Sequence, residues 1–250
     1  MSTKTLGAAA GVLLLVVGVM VGCDAVEGVI TGKCQGRKPI THVRIDHSRT
    51  QDDPALRTQK VELVRSIAER VSQECGSLRV DVFGATATDG VTIFPEKNLT
   101  PEGNNDSTRD EVRDQVVAPV VDAIEAALEG EPSLGSAPLG ALAQGQRTLA
   151  LRADEERPRE LVLVTDGYES ELFVLKDLLR AGEDAADILS LAGEIEETPD
   201  LSITVVGVGF VAGEPRSTQL LEGLLDFWTA ACSATQAEPC RVIDGFDEGA

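Results

Sequence analysis

The chain has 250 residues, of which 42% are hydrophobic, and this is enough for one sizeable domain with a full core. Only 3% of the residues are aromatic, so Val, Leu, Ile and Ala must fill that core. The formal net charge of −20 gives a surface that repels nucleic acid and anionic lipid head groups. Such a charge suits an exported domain that attracts cations or basic partners. The alternative is that the charge only keeps the protein soluble.

The N-terminus is predicted to direct export rather than to form part of the fold. Lys4 precedes an apolar run from Leu6 to Val21, which is a little short for a comfortable transmembrane span. The run ends in Gly22 and Cys23, and a small residue before a Cys in this place resembles the lipobox of bacterial lipoproteins. The resemblance implies that Cys23 is lipidated and holds the domain at the outer side of the bacterial cell membrane. An uncleaved anchor and ordinary secretion are the alternatives.

The rest of the chain divides into a tether and one domain. Residues 1–23 are assigned to the signal peptide or anchor, residues 24–39 to the tether and residues 40–250 to the domain. In chain order, apolar periodicity and turn residues predict a strand at 43–45, a helix at 53–75, a strand at 78–83, an edge strand at 91–94, a helix at 108–124, a helix at 139–151, a strand at 161–164, a helix at 175–195 broken near Gly182, a strand at 203–208, a helix at 218–231 and a strand at 241–243.

This alternation of strands and helices predicts a doubly wound α/β fold. We expect a mostly parallel six-stranded sheet with one antiparallel edge strand and helices on both faces. In such sheets ligands bind at the carboxyl ends of the strands, where the winding reverses. With the usual strand order, the reversal lies between the first and the fourth strand, which end in Asp46 and Asp166.

Oxygen-bearing side chains follow both of these strands. Asp46 is succeeded by hydroxyls at Ser48 and Thr50, and Thr165 stands beside Asp166. If the two strands are neighbours, these side chains meet at one crevice. Carboxylates and hydroxyls are the ligands that hard divalent cations prefer. The sequence therefore predicts a metal-binding crevice.

The motif Asp46-x-Ser48-x-Thr50, followed much later by Asp166, resembles that of the von Willebrand factor A domain. The resemblance covers roughly residues 40–246 and includes the predicted fifth strand. In that family the motif forms a metal-ion-dependent adhesion site, abbreviated MIDAS. The resemblance implies that these four residues hold Mg²⁺, with Mn²⁺ or Ca²⁺ as alternatives.

The family's site also takes a hydroxyl from an intervening loop. Ser136, at the start of the predicted helix 139–151, aligns with it, and Ser133 is the fallback. Arg49 and Ala137 depart from the family's pattern and put metal binding in question. Arg49 and Tyr168 are candidate contacts for a partner at the rim of the site.

Four cysteines remain, and an even number is expected where cysteines pair as disulfides in an oxidising compartment. They are Cys34, Cys75, Cys232 and Cys240. Four cysteines allow three pairings. The predicted topology places all of them at the sheet edge opposite the crevice, and from it we predict the pairs Cys34–Cys75 and Cys232–Cys240.

The resemblance implies a surface-tethered, non-enzymatic module for adhesion or complex assembly, which binds a protein whose acidic side chain completes the metal's coordination. One alternative is a scaffold lipoprotein whose site has lost the metal. Another is a phosphatase of the haloacid-dehalogenase type, which needs a second Asp two residues after the nucleophile as its general acid. Position 48 is Ser, which argues against the phosphatase.

Overall fold

The computed structural model describes residues 38–86, 88, 90–101, 106–153, 155–211 and 217–246. The strands are β1 (Ile40–Asp46), β2 (Ser77–Phe83), β3 (Val91–Asn98), β4 (Arg159–Val164), β5 (Leu201–Val206) and β6 (Cys240–Ile243). The helices are α1 (Pro54–Gln73), α2 (Asp106–Leu128), α3 (Pro138–Ala150), α4 (Leu175–Ala181), α5 (Ala185–Leu191) and α6 (Thr218–Thr235), and a short 3₁₀ turn spans Arg49–Gln51.

The strands form one sheet in the order β3-β2-β1-β4-β5-β6. Strand β1 pairs in parallel with both β2 and β4, and β3 is the antiparallel strand at one edge. All seven residues of β1 are buried because the strand is central and covered on both faces. The predicted fold class, a doubly wound and mostly parallel six-stranded sheet, is confirmed.

Two apolar clusters fill the space between the sheet and its helices. One lies under α1 and α2 and includes Val43 and Val162 of the sheet. The other lies under α3 to α6 and includes Leu163 and the buried Trp228. Val162 and Leu163 belong to opposite clusters because successive side chains of a strand point to opposite faces. The alternation along β4 thus supplies both cores.

Helix α1 begins where the sequence predicts. The Asp53 side chain accepts hydrogen bonds from the backbone amides of Ala55 and Leu56, at 2.8 and 3.2 Å. Pro54 occupies the first helical position, where a missing amide hydrogen costs nothing. The cap fixes the direction in which the chain leaves the loop after β1.

Some predicted boundaries differ from the structure. Strand β5 begins and ends two residues earlier than predicted. It ends at Val206 because Gly207 turns the chain with a φ of +88°. Strand β3 continues through Pro95 to Asn98. An edge strand tolerates the proline, because its missing amide hydrogen removes no hydrogen bond from the interior of the sheet. The predicted break near Gly182 is confirmed, and its φ is +81°.

A disulfide joins Cys232 at the end of α6 to Cys240 at the start of β6, with the Cα atoms 5.6 Å apart. This is one of the two predicted pairs. The other pair involves Cys34, which lies outside the described residues, as do the signal segment, Cys23 and nearly all of the tether. Within the part of the chain that the structure describes, no helix has both the length and the apolar character to cross a membrane.

Candidate metal centre

The candidate site lies where β1 and β4 leave the sheet side by side. Ile45 of β1 is in register with Val164 of β4, so Asp46 and the pair Thr165-Asp166 emerge next to each other at the carboxyl edge. Both aspartates are fully buried. This is the point where the winding of the sheet reverses, as the sequence predicts.

Hydrogen bonds join the five predicted metal ligands into one cluster. Ser136 donates its hydroxyl hydrogen to Asp46 at 2.6 Å, and Thr50 donates to Asp166 at 2.7 Å. The hydroxyls of Ser48 and Thr50 are 3.0 Å apart. The structure therefore brings together all the residues that the motif singled out, from three separate loops.

The structure distinguishes the two candidate serines of the intervening loop. The side chain of Ser133 bonds to a neighbouring loop, since its Oγ accepts a hydrogen bond from the Ala85 amide at 2.8 Å. Its backbone amide donates to the carbonyl of His47, and its carbonyl accepts from the amide of Arg49, at 2.9 and 2.7 Å. Ser136 is thus the serine that faces the aspartates, and Ser133 holds the loop in place.

Burial and a neighbouring carboxylate make Asp166 costly to ionise. Burial, followed by the charge of Asp46, raises the pKa of Asp166 to about 7. Hydrogen bonds from the Tyr168 amide and the Thr50 hydroxyl oppose the increase only in part. A cation between the two carboxylates would favour the ionised form of both.

Lys60 is a member of the site that the sequence analysis missed. Its side chain is 1% exposed, and its Nζ donates to the main-chain oxygen of Asp46 at 2.6 Å. Burial lowers the pKa of Lys60 to about 8, although Asp46 and Asp166 favour its charged form. The sequence did carry a signal, because helical spacing places Lys60 on the same apolar face of α1 as Val64 and Ile67.

Thr165, which the sequence places at the crevice without assigning it as a metal ligand, is a further member of the site. Its hydroxyl donates to Asp46 at 2.8 Å and accepts from the amide of Gly167 at 3.0 Å. Asp46 therefore accepts hydrogen bonds from Ser136 and Thr165 on the same oxygen, and from the amide of Ser48 on the other. These bonds fix the carboxylate in one orientation.

Glu169 fixes the two loops that flank the site. It is 1% exposed, and its carboxylate accepts hydrogen bonds from the backbone amides of Glu171, Leu172 and Leu139. Burial raises the pKa of Glu169, and the amide hydrogen bonds oppose that increase. The first turn of α3, which follows Ser136, is thereby tied to the loop after β4.

Gln51 ties the first motif to the loop after β5. Its buried amide donates to the carbonyl oxygen of Phe210, and the Gly209 amide in the same loop donates to the carbonyl of Asp166 at 2.8 Å. Since Thr50 also bonds to Asp166, a closed ring of contacts holds the hydroxyl in place. Nothing in the local sequence predicted this contact.

The donor set fits a hard divalent cation. It consists of three hydroxyls and two carboxylates, which are oxygen ligands of the kind that Mg²⁺, Mn²⁺ and Ca²⁺ accept. Among the described residues, no group of three or more His, Cys, Asp or Glu side chains could hold a metal ion, so hydroxyls must complete the donor set at this cluster. Burial and the charge of Asp46 raise the pKa of Asp166, and a bound cation would favour its ionised form.

The two predicted rim residues differ in their surroundings. Arg49 is exposed at the mouth of the site, and within the described part of the chain its side chain forms no ion pair. The Tyr168 ring is half-buried and packs against the apolar cluster under α3 to α6, with the Lys176 ammonium 5.4 Å from the ring centre. Tyr168 therefore has a packing role, whereas Arg49 is available to a partner.

No protein-family model matches the chain, and no curated protein matches it. Solved structures with partial similarity include the manganese-loaded TRAP protein of Plasmodium vivax, at 13% identity over 76% of this chain and 64% of that one, with a TM-score of 0.45. They also include an aerotolerance-related membrane protein from Bacteroides fragilis, at 16% identity over 85% and 92%, with a TM-score of 0.45.

A third similar structure is proximal thread matrix protein 1 from the mussel byssus with a zinc-occupied MIDAS motif, at 17% identity over 86% of this chain and 43% of that one, with a TM-score of 0.43. This chain thus spans less than half of the mussel protein. The neighbours have the von Willebrand factor A fold. At these scores and identities the similarity carries no argument about function.

Proposed function

We propose that the chain is a divalent-metal-dependent protein-binding module. The observation that carries the proposal is the cluster of three hydroxyls and two fully buried carboxylates, joined by hydrogen bonds, at the reversal point of the sheet. The proposed ligands are Asp46, Ser48, Thr50, Ser136 and Asp166. Mg²⁺ is the proposed resident ion, and Mn²⁺ and Ca²⁺ are the alternatives.

The neutral and the charged side chains have different proposed roles. The neutral hydroxyls of Ser48, Thr50 and Ser136 would hold the ion directly, and the two aspartates would act largely through bound water, which would leave the ion electron-poor. When bound, the ion supplies a strong attraction for an anionic oxygen. A partner's acidic side chain takes the remaining position, so the site binds without needing to catalyse.

No catalytic role is proposed for these residues. The phosphatase alternative needs a carboxylic acid two residues after the first aspartate, and Ser48 occupies that position with its hydroxyl directed to Thr50. The alternative is a scaffold protein that has lost its metal site. A titration in which the wild-type chain binds no metal would favour it.

We further propose that the N-terminus anchors the module to the outer face of a bacterial cell membrane through a lipid on Cys23. The support is the apolar run that ends in Gly22-Cys23. Metabolic labelling with a radioactive fatty acid should mark the wild-type chain and leave the Cys23→Ser variant unlabelled. Equal labelling of both chains would rule out the lipid at this residue.

Isothermal titration calorimetry with Mg²⁺ and Mn²⁺ tests the metal proposal. The wild-type chain should show saturable binding, and the Asp46→Ala variant should show none. The Asp110→Asn variant is the matched control, because Asp110 is an exposed aspartate on α2 that pairs with Arg113. Binding that survives in Asp46→Ala, or that is absent from the wild type, would contradict the proposal.

A further inference from the structure

The mouth of the candidate site has an ordered pattern of inward and outward side chains. Ser48 and Ser133 form an isolated parallel bridge, and both are turned toward the protein. Arg49 and Leu134 are the next residues on the two bridged segments. Arg49 opens the 3₁₀ turn, and both side chains face solvent. Arg49 is exposed, and Leu134 is 78% exposed.

A second exposed leucine lies in the loop after β4. The amide of Ser170 donates to the Ser136 carbonyl at 2.9 Å, which brings the loop after β4 against the loop that carries Leu134. Leu172 stands in that loop and is 52% exposed. The carboxylate of the buried Glu169 accepts from the Leu172 amide, so this leucine is held in place. We refer to Arg49, Leu134 and Leu172 as the site rim.

The composition of the rim contrasts with the rest of the surface. The chain has a formal net charge of −20, so its overall field does not attract an acidic partner, and physiological salt screens charges that lie more than roughly 8 Å apart. Selection of such a partner must therefore come from contacts made at close range. The rim offers a cation that has no ion pair among the described residues, together with two leucine side chains that are more than half exposed.

We propose that the partner is a protein segment in which the acidic residue that reaches the metal ion has a large apolar residue and a second acidic residue beside it. The apolar side chain packs on Leu134 and Leu172, and the second carboxylate pairs with Arg49. The inference rests on the proposed function, since it assumes the cation that receives the first carboxylate. It adds the chemistry of the two neighbouring residues, which the motif does not specify.

Short immobilised peptides with a central Asp test the inference. The two residues flanking the Asp are varied among Ser, Leu, Asp and Arg, and binding of the full chain is measured in Mg²⁺ and in EDTA. In Mg²⁺ the wild type should bind peptides with Leu and Asp flanks about tenfold better than those with two Ser flanks, the effect of burying one large apolar side chain. Arg flanks should bind worst.

Two variants assign these preferences to the rim. Leu134→Ser should remove most of the preference for Leu, and Arg49→Ser should remove the preference for Asp. The matched control is Leu151→Ser, because Leu151 is 82% exposed at the opposite end of α3 and should leave both preferences unchanged. Binding of Mg²⁺ itself, measured by calorimetry, should be unaffected in Leu134→Ser.

The outcomes separate the inference from the function on which it rests. Saturable Mg²⁺ binding with no dependence on the flanking residues overturns the inference and leaves the metal site standing. A Leu151→Ser effect equal to that of Leu134→Ser also overturns it, because the apolar contact would then be non-specific. Absence of Mg²⁺ binding to the wild type overturns both the proposed function and the inference.

Discussion

The hydroxyl of Thr50 donates a hydrogen bond to Asp166 at 2.7 Å, across 116 positions of sequence. This one bond joins the loop after the first strand to the loop after the fourth, because β1 and β4 are neighbours in the sheet. Both halves of the motif therefore act on the same small volume. The strand order is what turns two ordinary strand-end sequences into one candidate site.

Replacement of Asp166 by Asn should stabilise the metal-free protein while abolishing metal binding. Asp46 and Asp166 are both fully buried, so at pH 8 the metal-free protein bears the repulsion between them. We expect the free energy of unfolding in EDTA to rise on the order of 1–3 kcal/mol. Urea unfolding in EDTA and in Mg²⁺ measures both effects, and a destabilised variant in EDTA would contradict the electrostatic account.

Replacement of Lys60 by Met should separate stability from metal affinity. The change leaves the buried carbonyl of Asp46 without its partner, and this should cost about 1–3 kcal/mol of unfolding free energy. It also removes a positive charge that repels a second cation, so Mg²⁺ should bind roughly tenfold more tightly at pH 8.

Urea unfolding and calorimetry on the same preparation check this pair of effects. The control is Lys97→Met, because Lys97 is an exposed lysine on the edge strand β3. Weaker binding of Mg²⁺ to Lys60→Met would show that the ammonium positions Asp46 more than it competes with the ion.

Replacement of Gln51 by Leu should weaken metal binding with a smaller effect on the fold. The variant fills the same space but cannot donate to the Phe210 carbonyl, so the turn that carries Thr50 loses its tie to the loop after β5. We expect the dissociation constant for Mg²⁺ to rise several-fold, about 1 kcal/mol for one lost hydrogen bond. An unchanged dissociation constant, measured by calorimetry, would reduce Gln51 to a packing residue.

Acid should destabilise the protein through a buried pair outside the metal site. His42 and Asp81 are 2.8 Å apart on neighbouring strands. Burial lowers the pKa of His42, so this residue contributes stability above its unfolded pKa of about 6.5 and loses it as the pH falls. Burial opposes ionisation of Asp81, but hydrogen bonds from His42 and Arg79 outweigh it and hold the pKa well below its usual range.

Asp81 therefore contributes stability above its unfolded pKa of about 3.9, and this contribution too is lost as the pH falls. Both groups act in the same direction, so their joint contribution to the free energy of unfolding should decrease below about pH 6.5, whereas the raised pKa of Asp166 acts in the opposite direction in the metal-free protein. The Asp81→Asn variant should be less stable at pH 7 and should lose less stability between pH 5 and about pH 3 than the wild type. Asp200→Asn, at a highly exposed aspartate, is the control. Parallel pH curves for Asp81→Asn and the wild type would contradict the assignment.

The fold could be predicted because its signals are local. The continuous apolar run of β4 and the Asp53-Pro54 helix start depend only on neighbouring residues. The end of β5 was misplaced for an equally local reason, since Val208 is apolar and fully buried although it lies beyond the glycine that ends the strand. Hydrophobicity reports burial, and burial continues past the last ladder hydrogen bond.

The candidate site could be predicted only in part. The aspartates and hydroxyls of the motif were found because their spacing is recognisable in the sequence. The resemblance put Ser136 ahead of Ser133, but the hydrogen bonds that separate the two serines depend on the path of the loop. The link between Gln51 and Phe210 joins residues whose proximity no local pattern encodes. Contacts of this kind are set by the packing of loops and not by their composition.

Anomalous X-ray diffraction from crystals of the chain grown with Mn²⁺ tests the central claim most directly. The account predicts one strong peak at the carboxyl edge of the sheet, within ligand distance of the Ser48, Thr50 and Ser136 hydroxyls. A peak elsewhere would contradict it. A crystal that shows no Mn²⁺ density, and in which the five side chains keep their mutual hydrogen bonds, would also contradict it.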